Sequence, residues 1–124
     1  MNNRVFGELS FSTGWKSRVK YSFFGKEQEI TLKVRAYSEK DGITPAQEDA
    51  YRDYVKDRES ITKKVDKMLL DFDPEASNRF SPRTLLFNRD GSYALLCDDF
   101  EEPDEGIAVS IRPNAEIISQ DDYL

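Results

Sequence analysis

Residues 15–37 read WKSRVKYSFFGKEQEITLKVRAY. Trp15, Val19, Tyr21 and Phe23 alternate with Lys16, Arg18 and Lys20, and Ser17 falls on the apolar side. Past the glycine, Ile30, Leu32, Val34 and Ala36 repeat the same period of two. Such alternation belongs to strands with one buried and one wet face. Gly25 at the first loop position predicts a two-residue type II′ turn over Gly25-Lys26, so the stretch folds as a β-hairpin. In that register Phe24 pairs with Glu27, Arg18 falls opposite Lys33, and Lys16 falls opposite Arg35. Like charges directly across a strand pair are unfavourable by up to about 1 kcal/mol. The solvent face therefore carries a cationic patch of Lys16, Arg18, Lys20, Lys33 and Arg35. Two readings stand: acids from a neighbouring element neutralise the patch, or it is a contact surface for an anionic ligand or an acidic partner.

Working outward, residues 4–12 read as a first strand, with Val5, Leu9 and Phe11 apolar and Gly7 as a bulge. After the loop at 39–42, Thr44, Pro45 and Gln47 spell a helix start with a capping box. Tyr51, Tyr54, Arg58, Ile61, Val65, Met68 and Phe72 then recur in steps of three and four, widened by Val55 and Leu69. This predicts one helix over about 45–72, roughly 40 Å long, with a break near 58–60. Arg58, the one polar member of the stripe, lays its stem on the core. Glu48 with Arg52 and Glu59 with Lys63 stand in the favourable i, i+4 order. Pro74 ends the helix, and residues 73–82 read as a loop. A second hairpin follows, turning at 89–91. Its second strand is apolar on both faces from Tyr93 to Cys97, which predicts a central position. Further strands are expected at 106–111 and 115–119. The expected fold is α+β: a largely antiparallel sheet of about six to seven strands with one long helix packed on one face. The length fits one domain over 1–124.

The net charge of −6 argues against nucleic acid and anionic membrane as partners, since both require clustered cations. No stretch approaches the ~20 apolar residues of a membrane span, and the N-terminus has no signal-peptide pattern. A single cysteine, Cys97, cannot form an internal disulfide, so a reducing, cytoplasmic setting is expected. The chain has no histidine. Zinc sites of the Cys/His kind, Ser-His-Asp triads and Cys–His pairs are therefore excluded. No phosphate-binding glycine motif occurs, and no cofactor is expected.

Carboxylate chemistry survives. Residues 97–106 read CDDFEEPDEG, and six of the eight residues from Asp98 to Glu105 are acids. Asp98, Asp99, Glu101, Glu102, Asp104 and Glu105 admit three readings. They form a solvated turn between paired strands, a contact surface for a basic partner, or an oxygen-ligand site for a divalent cation. The spacing does not match an EF-hand loop, and adjacent acids on a short loop do not face each other as hydrolysis by paired carboxylates needs. Cys97 beside them reads as a small core residue; neighbouring carboxylates raise a thiol's pKa.

The second half, DGSYALLCDDFEEPDEGIAVSI closing in SQDDYL, resembles a family of uncharacterised small bacterial domains. In that family a strand leads into an acidic loop, then G-[IL]-A-V, and the chain closes on Q-D-x-[FYL]. SFFGKEQEITL followed by ITPAQEDAY is similar to its N-terminal half. Members often carry histidine beside the glycine, where Glu105 stands here. The resemblance implies no established activity. Some relatives lie near toxin genes, which implies a toxin-neutralising role. The expectation is thus a non-enzymatic bacterial protein-interaction domain, with the acidic loop, Asp121 and Asp122 facing a basic protein. The alternative is a domain that binds a small ligand or a divalent cation through the same loop. A further alternative has the cationic hairpin face binding an acidic partner.

Overall fold

The computed structural model describes residues 1–124. After a two-residue strand β1 (Asn2–Asn3), two further short strands, β2 (Gly7–Glu8) and β3 (Ser10–Phe11), stand where one strand over 4–12 is expected. The Asn3 side chain is the reason. Its Oδ1 accepts the N–H groups of Val5 and Phe6 at 2.8 and 2.9 Å, folding the chain back before a strand can extend.

The hairpin forms as β4 (Trp15–Phe23) and β5 (Lys26–Val34). Its turn differs from the expected one. The loop is Phe24-Gly25, with φ of 51° and 76°, which is the type I′ pattern. Asp66 holds Phe24 there by accepting its N–H at 3.1 Å, and the Phe24 ring packs edge-on against Phe23. The register moves by two residues, so Lys16 faces Lys33, Arg18 faces Thr31 and Lys20 faces Glu29. A shift of two keeps every side chain on its predicted face, because strands repeat every two residues. Trp15, Tyr21, Phe23, Ile30, Leu32 and Val34 are buried together.

Thr44 caps the helix as predicted. Its hydroxyl accepts the Gln47 N–H, and Gln47 returns the bond to the Thr44 N–H. The helix is two: α1 (Pro45–Lys56) and α2 (Arg58–Phe72). Asp57 separates them, at φ −108° and ψ 22°, one residue before the expected break. The interruption re-phases the buried stripe. α1 buries Gln47, Ala50 and Tyr54, whereas α2 buries Thr62, Val65 and Leu69. Val55 and Phe72 are left exposed. Arg58 lies outward with its guanidinium 5.7 Å from the Tyr54 ring centroid. Glu59 pairs with Lys63 at 3.0 Å, but Glu48 takes Arg4 and Asn3 instead of Arg52.

The stretch 73–82 is not a loop. It contains α3 (Ala76–Arg79) and the start of β6 (Phe80–Phe87), which bulges between Pro82 and Thr84. Returning through the helices makes β6 parallel to β5, the one parallel pair of the main sheet. Then follow β7 (Tyr93–Asp99), β8 (Ile107–Arg112), β9 (Glu116–Ser119) and a short α4 (Gln120–Tyr123). The main sheet has seven strands in chain order, β3 to β9, with β7 between β6 and β8. The fold is α+β with a largely antiparallel sheet, as the alternation predicts. The helix-facing side holds the core, where Phe87 stacks on Tyr93 at 4.6 Å. No helix is long and apolar enough to cross a membrane.

The C-terminal segment crosses the other face of the sheet. Gln120 Nε2 donates to the carbonyls of Cys97 and Ile107 at 2.9 and 3.3 Å. At the far end of β7, the Tyr123 hydroxyl accepts from Asn88 Nδ2 at 3.0 Å. Between these anchors lie Ala94 and Ala108, small residues of the back face that are fully buried.

Candidate functional site

Lys16, Arg18, Lys20 and Lys33 alternate with the buried residues of β4 and β5 and so share the opposite face of the sheet, and Arg35 follows the end of β5. Arg18 is satisfied: Nε donates to Glu29 at 3.2 Å and Nη1 to the Thr31 hydroxyl at 3.1 Å. Glu27 and Glu29 occupy the turn end of this face. The opposite end has no such acids. Lys16 and Lys33 face each other, Arg35 is next along, and none of Lys16, Lys20, Lys33 or Arg35 forms an ion pair within 4.0 Å. Partial burial, then the charges of Lys16 and Arg35, pull Lys33 below the ordinary lysine range.

β4 also lies beside an open edge. β3 pairs only with Trp15 and Lys16. In a two-residue hairpin the pair flanking the loop exchanges both backbone bonds, so Phe23, Tyr21, Val19 and Ser17 direct theirs at β5. The N–H and C=O groups of Arg18, Lys20 and Ser22 point outward, with no strand beside them.

The acids are divided among different tasks. Asp98 and Asp99 end β7 and are not loop residues. Asp99 is 3% exposed. Its two oxygens accept from Arg79 Nε and Nη2, both at 2.9 Å, and Oδ1 also takes the Glu101 N–H. Arg79 further bonds Asp73 at 3.1 Å, pairs with Glu101 at 3.2 Å, and lies 4.9 Å from the Phe80 ring centroid. The hydrogen bonds from Arg79 hold the Asp99 carboxyl below the usual carboxylate range. For Asp73 the Glu75 N–H and then Arg79 do the same. Asp98 takes both its bonds from Arg83 Nη1. Glu102, Asp104, Glu105, Asp121 and Asp122 are exposed and unpaired. Gln120 brings the last two to the Gly106 end of the loop. No group of three acidic or cysteine side chains comes together that could hold a metal ion.

Gly106 and Gln120, both in the short motifs of the second half, meet. At Gly106 φ is 66°, and a Cβ there would lie 2.5 Å from Gln120 Nε2 and 3.0 Å from the Cys97 carbonyl oxygen. Cys97 is fully buried, and burial followed by the Asp98 charge pushes its thiol far up, so it is no nucleophile. Three features escaped the residue pattern. Arg79 sits in a stretch that reads as loop. The open β4 edge depends on how short β3 is. The anchoring of Gln120 joins segments distant in sequence.

A model of the DUF6985 family, a domain of unknown function, matches residues 5–123. The chain belongs to the DUF6985 family. The match takes in both the cationic edge and the Gly106–Gln120 contact, so both lie within the DUF6985 domain. No curated protein and no solved structure matches the chain.

Proposed function

We propose that this DUF6985 domain is a non-enzymatic interaction module that adds an acidic, extended segment of a partner protein to the free edge of β4. The observation that carries the reading is the coincidence of unpaired backbone groups at Arg18, Lys20 and Ser22 with unpaired cations on the adjoining face. Strand addition draws affinity from the main-chain ladder and specificity from alternate side chains. An incoming strand would place every second side chain beside Arg18, Lys20 and Ser22, and carboxylates are favoured next to the two cations. The same cations repel a second copy of this edge, the usual protection of an open sheet against self-pairing. Attraction and rejection together make the edge selective. The test is binding of an acidic peptide with alternating glutamates to the full chain at low and high salt. Binding that weakens with salt and is lost in Arg18→Glu with Lys33→Glu supports the reading. Binding that survives both changes refutes it.

A second reading rests on the five acids left without cations, Glu102, Asp104, Glu105, Asp121 and Asp122, which would face a basic protein. Charge complementarity there would speed encounter. Reversing Glu102, Asp104, Glu105 and Asp122 and measuring association with a basic partner tests it; an unchanged rate removes it. A bacterial, cytoplasmic, toxin-neutralising role is the specific form that the sequence resemblance suggests for either surface.

A further inference from the structure

A cleft of about 330 Å³ opens between the α1–α2 junction and β8, away from the β4 edge. This is at the small end of the range for ligand sites. Its floor is apolar: Ile61, Val65 and Met68 of α2 and Ile111 of β8. Tyr93 lines it from β7. That side chain is 2% exposed, yet its hydroxyl makes no hydrogen bond to any protein group. Its ring is fixed by stacking on Phe87 and by an edge contact to Tyr54. The Tyr93 hydroxyl has no protein partner and is not sealed from solvent, so it is a free hydrogen-bonding group on the wall of the cleft.

The rim is charged. Arg112 is paired with Asp53 across the mouth. Asp57 stands at the helix break without an ion pair, and so do Lys56 and Lys64. Three cations against two acids leave the rim with one positive charge in excess. We infer that this cleft binds a small apolar monocarboxylate, its chain on the Ile61–Val65–Met68 floor and its carboxylate between the Tyr93 hydroxyl and the lysines of the rim. An apolar floor with few convergent polar groups is the usual composition of a small-molecule site. The site is independent of the β4 edge, and neither proposal requires the other.

The probe is octanoate, titrated into the full ¹⁵N-labelled chain, with octan-1-ol and acetate as controls. Octanoate is expected to give saturable shifts centred on Ile61, Met68, Tyr93 and Ile111. Octan-1-ol, lacking the charge, is expected to bind about tenfold more weakly, and acetate, lacking the chain, weaker still. Tyr93→Phe keeps the ring and its stacking, while Lys64→Glu changes only an exposed side chain; each is expected to weaken octanoate by about tenfold. Absence of saturable shifts at these residues overturns the inference. Equal binding of octanoate and octan-1-ol overturns the anion recognition on which it depends, and so do unchanged affinities in both variants.

Discussion

Lys16 and Lys33 face each other across the β4–β5 pair, with Arg35 beside them and no carboxylate within ion-pair distance of any of the three. Repulsion of this kind opposes folding of the free protein. The open stretch of the β4 edge begins just beyond this pair, at Arg18, Lys20 and Ser22. Lys33→Gln is therefore expected to raise stability by about 0.5 kcal/mol in urea unfolding while weakening acidic peptide. A loss of stability in this variant would show that the lysine stem, and not its charge, governs the site.

Arg79 gathers Asp73, Asp99 and Glu101. The carboxyls of Asp73 and Asp99 titrate below their ordinary range in the folded state. Their contribution is present above the unfolded value of about 3.9 and is lost as pH falls through the folded values. Stability should thus fall steeply below about pH 4, and Asp99→Asn should flatten that fall. At neutral pH the same substitution is expected to lower stability by roughly 2 kcal/mol, less than a fully uncompensated buried charge, because Asp73 and Glu101 still hold Arg79. Urea midpoints across pH 2–7 measure both.

Tyrosines govern the alkaline side. Burial pushes the Tyr54 and Tyr93 hydroxyls up to about 12. Stability that they confer is full below the unfolded value of about 10 and is lost as pH rises toward 12. The absorbance of tyrosinate should appear in two phases, with the buried group ionising only as the fold is lost. The hydroxyls of Tyr21 and Tyr54 are buried with no protein hydrogen-bond partner. Tyr54→Phe is expected to stabilise by about 1 kcal/mol, since it removes an unpaired polar atom and keeps the ring.

Period-two alternation over 15–36 carries enough information to fix which side chains meet the core, and the α+β architecture follows from it. The register escaped because a two-residue slip preserves faces, and because the turn depends on Asp66 holding Phe24 at a left-handed φ. The helix break at Asp57 was nearly legible, for Arg58 interrupts the apolar stripe. Acid density at 98–105 left a solvated turn, a partner surface and a cation site open, and it did not reveal that Arg79 and Arg83 engage three of those acids. Such pairings join residues from separate elements, and no local spacing encodes them.

The contact between Gly106 and Gln120 predicts that the C-terminal segment acts as a clasp. Gly106→Ala must abandon a φ of 66° or displace Gln120, and is expected to lower stability by about 2 kcal/mol. Hydrogen exchange should accelerate along β9 more than along β4. Gln120→Ala should reproduce the local loosening with a smaller loss of stability.

The most direct test of strand addition at β4 is amide hydrogen exchange at Arg18, Lys20 and Ser22, with and without the alternating-glutamate peptide. These three N–H groups point away from β5 and have no strand beside them. The account predicts that they exchange quickly in the free protein, and that the peptide protects all three while leaving Val19 and Tyr21 as they were. Binding without protection at these positions would contradict it, because the peptide would then be held by charge alone and not as an added strand.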